Sequence, residues 1–149
     1  MDVNPEIENR SYPPMPVFEV GREKIREFAE AIGSTDPVHV DPRAARELGY
    51  PDVVAPATFP VVVAQRAEFS VIDDPDSGID FARVVHGEER FVHHRPVHAG
   101  DRLVATPHVD RVRQAGGHWM VTTRVDIGTE EEEPVSTVYS TIVVRGERA

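Results

Sequence analysis

A chain of 149 residues with 40% hydrophobic and 28% charged side chains can build one domain with a buried core, and its composition is not that of a disordered polymer. It contains no cysteine, which excludes disulfides, thiolate metal sites and cysteine nucleophiles and fits a cytoplasmic protein. The net charge of −10 argues against nucleic acid as a partner, no signal-peptide pattern is read at the N-terminus, and the longest nearly apolar run, residues 53–64, is too short and too proline-broken to span a membrane.

From the N-terminus, residues 1–16 hold Pro5, Pro13, Pro14 and Pro16 and little periodicity, which predicts an extended lead-in. Val17-Phe18-Glu19-Val20 is a short strand candidate. A helix is expected over residues 22–32, because Ile25, Phe28, Ala29 and Ile32 recur at the spacing of one helical face, and Gly33 ends it. After a polar loop, Asp41 and Pro42 supply a cap and a first helical residue for a short helix through about Leu48, closed by Gly49. The longest predicted helix covers residues 57–72. Its first half, Phe59-Pro60-Val61-Val62-Val63-Ala64, is apolar on every side, so burial all round is expected. Pro60 is tolerated near the start, where amides lack intrahelical partners.

Beyond a turn-rich link over residues 73–80, the period changes from helical to strand-like. Four strands are expected over residues 81–95, 102–113, 118–127 and 135–144, with alternation clearest in Thr137-Val138-Tyr139-Ser140-Thr141-Ile142. One strand, two or three helices and then four strands make an α+β chain, with residues 1–149 forming a single domain. The simplest packing wraps a curved antiparallel sheet around the apolar helix.

Within that order, Gly33-Ser34-Thr35-Asp36-Pro37-Val38-His39 resembles the hydratase motif of MaoC-like hot-dog proteins, Gly-Asp-x-Asn-Pro-aliphatic-His. Gly33, Pro37, Val38 and His39 match it, whereas Ser34 stands at the catalytic aspartate and Asp36 at the asparagine. Ala44-Ala45-Arg46-Glu47-Leu48-Gly49-Tyr50 and Val54-Ala55-Pro56-Ala57-Thr58-Phe59 resemble the family's approach to its central helix. Arg95-Pro96-Val97-His98-Ala99-Gly100-Asp101 resembles its Pro-x-x-x-Gly-Asp hairpin. The opening Val20-Gly21-Arg22-Glu23-Lys24-Ile25 is similar to an actinobacterial branch, the A and C subunits of (3R)-hydroxyacyl-carrier-protein dehydratase. The resemblance implies a hot-dog fold and a (3R)-hydroxyacyl-thioester dehydratase or enoyl hydratase component. It implies a substrate carried on the phosphopantetheine of acyl carrier protein (ACP) or coenzyme A, with no other cofactor. It also implies a homodimer, or a heterodimer with an intact-motif subunit.

Removing water from a hydroxyacyl thioester needs a base for the α-proton and a donor for the departing hydroxyl, and imidazole can do either near neutrality. The motif match favours His39 for this work over a merely polar residue in a capped turn. Ser34 can hold a water but cannot replace the carboxyl. Asp36 could supply one if its loop shifted, though Asp36-Pro37 reads equally as a turn starter. A hydrolytic triad of Ser34, His39 and Asp36 is not expected, because three residues so close in one loop seldom reach relay geometry. Free amides at the start of the central helix, Ala57, Thr58 and Phe59, are candidate donors to the thioester carbonyl, unless Thr58 or water caps them. No metal site is expected from His86, His93, His94, His98, His108 or His118. Two alternatives stand: a noncatalytic acyl-binding subunit, suggested by Ser34, and thioester hydrolysis through Glu68, the acid of the long helix.

Overall fold

The computed structural model describes residues 2–147. Short strand β1 (Phe18–Glu19) precedes three helices, α1 (Arg22–Ala31), α2 (Pro42–Glu47) and α3 (Pro60–Ile72). Strands β2 (Val84–His93), β3 (Arg102–Ala115), β4 (His118–Thr129) and β5 (Pro134–Val144) follow. All five strands join one antiparallel sheet in the order β1-β3-β4-β5-β2. Alternation sends Leu103, Ala105, Val121, Val125, Val138 and Ile142 to the buried face. There they meet Val63, Ala64, Ala67 and Val71 of α3, and β3, β4 and β5 all touch that helix. The sheet therefore curls over α3, as the family resemblance implied.

Three expectations need correction. α3 begins at Pro60, and residues 57–59 form a turn ahead of it. Proline lacks an amide and its φ is preset for a helix, so it takes the first helical position itself. Nor is α3 buried all round: Gln65, Arg66 and Phe69 are exposed, because the sheet covers only one side. Finally, α1 buries Ile25 and Ala29 but leaves Ile32 51% exposed, since the helix has ended at Ala31.

The proline-rich lead-in is extended but not loose. The amides of Asn9, Tyr12 and Met15 donate to Val109, Pro107 and Ala105 of β3 at 2.8, 3.0 and 2.8 Å. Val3 and Ile7 are buried against Val71, Val109 and Ile142. That flank of the sheet is thus covered. At the other flank, β2 pairs only with β5 among the described residues.

The predicted hairpin signature forms the link from β2 to β3. Asp101, 6% exposed, accepts two bonds from the Arg95 guanidinium at 3.0 and 2.9 Å and one from the His98 amide at 2.9 Å. Deleting one partner of a buried pair leaves the other charge uncompensated. Asp101→Ala is therefore expected to destabilise the protein by about 3 kcal/mol. Urea unfolding measures this, and a change within error of zero would show that the pair does not hold the hairpin.

Candidate active site

Gly33, at φ +73°, lets the chain turn back after α1, and the Ser34 amide closes the helix end on Ala29 O at 2.9 Å. A single 3₁₀ turn, Pro37–His39, follows. Asp36 caps it, accepting from the Val38 amide at 3.0 Å, and its side chain is otherwise exposed. Its carboxylate is therefore spent on its own turn, in line with the turn-starter reading. Among the described residues the Ser34 hydroxyl bonds to no side chain, so Ser34, His39 and Asp36 form no relay.

The turn drives His39 inward, to 8% exposure. Its Nδ1 lies 2.6 Å from Val54 O. A carbonyl can only accept, so Nδ1–H donates and the neutral ring presents its lone pair at Nε2. Val54 also donates its amide to Val38 O at 2.9 Å, so both sides of the histidine turn are clamped to one residue.

Val54 is also part of the wall of an open cleft of about 440 Å³, bordered further by Ala55, Pro56, Ala57, Pro60 and residues 93–97. His39 does not itself line this cleft but sits behind Val54. Of the three candidate amide donors, Ala57 and Thr58 are exposed and their amides have no acceptor among the described residues. Phe59 departs from expectation: its amide donates to Pro56 O at 2.9 Å and its ring is fully buried, edge-on to Phe28. His93 and His94 both border the cleft, although strand alternation assigns them opposite faces. Regular β2 ends at His93, so alternation does not extend to His94.

A second polar group was not foreseen. Thr123, Ser140 and Glu89 stand opposite one another across β4, β5 and β2, and Glu68 of α3 lies against that row. Ser140 Oγ donates to Glu89 Oε1 at 2.6 Å. His86 Nε2 lies 4.0 Å from Glu68 Oε2 and 4.0 Å from Glu89 Oε1. Burial pushes the Glu68 carboxyl up to about 7, aided by the negative Glu89 and opposed by the Thr123 hydroxyl. One sequence signal was available: a lone acid among the apolar positions of the central helix.

Comparisons with known proteins agree with this architecture. The chain matches the family described as FAS1-like, dehydratase domain region, over residues 15–138. A UPF0336 protein of Saccharopolyspora erythraea is 51% identical over 146 residues, 98% of this chain and 94% of its own. The C-terminally truncated HadBC complex of Mycobacterium tuberculosis, a (3R)-hydroxyacyl-ACP dehydratase, is 35% identical with a TM-score of 0.82, covering 92% of this chain and 96% of the matched chain. A MaoC-like dehydratase is 33% identical with a TM-score of 0.81, covering 94% of this chain and 42% of its own. The hot-dog fold and the MaoC-like resemblance read from the sequence are borne out.

The polar row has a signature in stability. The folded pKa of Glu68 lies above its ordinary 4.5. The unfolded chain therefore loses this proton first, and stability falls as pH rises through the window from about 4.5 to 7. Ionising Glu68 inside the fold costs on the order of 3 kcal/mol. Glu68→Gln removes that cost, so at pH 8 the variant is expected to melt higher than the parent. The two should converge towards pH 4.5, below which the Glu68 proton is held in both states. Melting curves across this range check it, and a constant offset between the two proteins would refute the assignment.

Proposed function

This chain belongs to the FAS1-like dehydratase domain family, and from that premise we propose that it is one component of a (3R)-hydroxyacyl-thioester dehydratase or enoyl hydratase, completed by a second, acid-bearing subunit. The observation that carries the reading is the His39 ring. It is buried, with its tautomer fixed by Val54 O, beside a cleft that also borders the start of α3.

In the forward direction, Nε2 of His39 takes the proton from the carbon next to the thioester carbonyl, a step that requires the Val54 part of the cleft wall to give way, because the ring sits behind it. Negative charge then grows on that carbonyl oxygen. In this reading the amides of Ala57 and Thr58, unpaired among the described residues and near the positive end of the α3 dipole, receive it; of the two, Ala57 lines the cleft. The hydroxyl on the next carbon must leave as water, and this requires a proton donor. Ser34 has no acidity to offer and Asp36 faces its own turn. The donor comes from the partner.

The outer edge of β2 is where that partner docks. No strand covers it among the described residues, and its outward side chains Val85 and Val92 are 44% and 39% exposed. The HadBC relative is itself a complex, which supports a heteromer over an isolated chain. The thiol portion of the substrate, on ACP or coenzyme A, would lie towards the cleft mouth, where His94 and Ala57 are exposed. Hydrolysis through Glu68 is the weaker reading: neither side chain lines the cleft, but His39 is bonded to Val54 in its wall, whereas Glu68 packs against the row of Thr123, Ser140 and Glu89.

The purified chain alone is expected to hydrate crotonyl- and longer enoyl-thioesters weakly or not at all, and to gain activity when mixed with an Asp-containing MaoC-like subunit. In that mixture, His39→Ala should lower kcat/KM by about a hundredfold or more. Ser34→Asp should confer activity on the lone chain. Product is followed by mass spectrometry, which also detects free thiol. Strong hydration by the lone chain that survives His39→Ala would overturn the reading, and thiol release without hydration would replace it with hydrolysis.

A further inference from the structure

Glu68 is 3% exposed, and among the described residues neither its Oε1 nor the buried Oε2 of Glu89 has a hydrogen-bond partner. Leaving buried carboxylate oxygens unpaired is costly, and two such groups side by side repel. The imidazole of His86 completes the group, half exposed at the outer side. One ligand atom from each of Glu68, His86 and Glu89 lies within 4.8 Å of the others. We propose that these three side chains bind a divalent cation of the zinc class, which ties α3 to β2.

The chemistry of the donor set selects the ion. Two carboxylates and one imidazole suit a borderline cation such as zinc, whereas magnesium and calcium ask for more oxygen ligands. Tetrahedral zinc at ~2.0–2.1 Å from each ligand places its ligands roughly 3.3 Å apart. The separations here, 4.0 Å from His86 to each carboxylate and within 4.8 Å for the whole group, are wider. Small side-chain rotations close that gap, and the exposed flank of His86 leaves a path for entry and room for a water as fourth ligand. Ser140 Oγ, bonded to Glu89 Oε1, orients that carboxylate as an outer partner of the site.

The sequence hid this group for a specific reason. Residues three apart in a regular strand face opposite sides. A bulge between His86 and Glu88 takes up Gly87 as an extra residue, so His86 opposite Ile142 and Glu89 opposite Ser140 both face inward. The site is separate from the His39 cleft. Glu68 lies eight residues beyond Pro60, about 12 Å along α3.

The test is zinc titration of the metal-stripped chain at pH 7.5, in competition with a chromophoric chelator, read alongside the melting temperature. The wild type should take up one equivalent per chain and melt higher when loaded. Glu68→Gln and His86→Ala should each weaken binding by about tenfold or more and lose the melting shift. Glu68→Gln keeps the side-chain volume and removes a repulsive charge, so it should fold, and circular dichroism verifies this; Glu89→Gln serves as a second variant. His118→Ala, at the β3–β4 hairpin and outside the Glu68–His86–Glu89 group, should bind as the wild type does. The proposal fails if zinc does not saturate at one equivalent, if Glu68→Gln and His86→Ala bind like the parent, or if His118→Ala abolishes uptake.

Discussion

Residues 53–55 belong to no strand of the main sheet, yet the histidine turn and the hairpin at residues 96–101 are hung on their backbone. Val54 gives its amide to Val38 and takes the His39 ring on its carbonyl. Ala55 donates to Val97 O at 2.8 Å, and Ala99 donates to Val53 O at 2.9 Å. All three residues are buried. Buried backbone groups must be paired, and these pairs leave the strap only one position. The histidine turn, the start of α3 and the hairpin at residues 96–101 therefore share one rigid reference. The Arg95–Asp101 pair then fixes that hairpin from its far side. Precision at His39 comes from this cross-bracing, not from the short turn that carries it.

The core shows a different economy. One apolar cluster surrounds Phe59 near the start of α3, and another surrounds Val71 and Ile142 near its end. Between them, Thr123, Ser140, Glu89 and Glu68 form a polar layer where apolar side chains of similar size would be more stabilising. Such a layer is a cost that folding alone does not explain. It reaches solvent at His86, 47% exposed and 4.0 Å from Glu68, which is where a ligand could offset it.

Much of the fold was legible because period is a local property. Alternation in residues 135–144 and the helical spacing of Ile25, Phe28 and Ala29 need no tertiary information, and the corresponding elements form within a residue or two. What failed depended on partners distant in sequence. The strap at residues 53–55 reads as part of an apolar run because its partners lie at residues 38 and 97–99. The exposed flank of α3 was misread because the valine-rich stretch does not say how far the sheet reaches around it. At the site, His39 was legible through its motif, and Ala57 and Thr58 through the general scarcity of acceptors at a helix start. Phe59 was not, since its amide is consumed by a turn that Pro60 forces just ahead of the helix. The bulge at Gly87 likewise leaves no pattern that alternation can detect.

Two deficits remain in the isolated chain, and they have the same remedy. One flank of the sheet is sealed by β1 and the lead-in, but β2 presents an edge that no strand pairs among the described residues, with Val85 and Val92 exposed. Exposed edges invite pairing, and stable monomers usually cover or charge them. The other deficit belongs to the proposed chemistry: it assigns a base to His39 and donors to the Ala57 and Thr58 amides, while position 34 carries a hydroxyl where the motif has its acid. A second hot-dog subunit pairing along β2 would extend the sheet and bring its own carboxyl to the shared cleft. On that view the serine is not damage to a self-sufficient enzyme. With the acid supplied in trans, position 34 needs no carboxyl, while His39 still depends on the strap at residues 53–55 for its position.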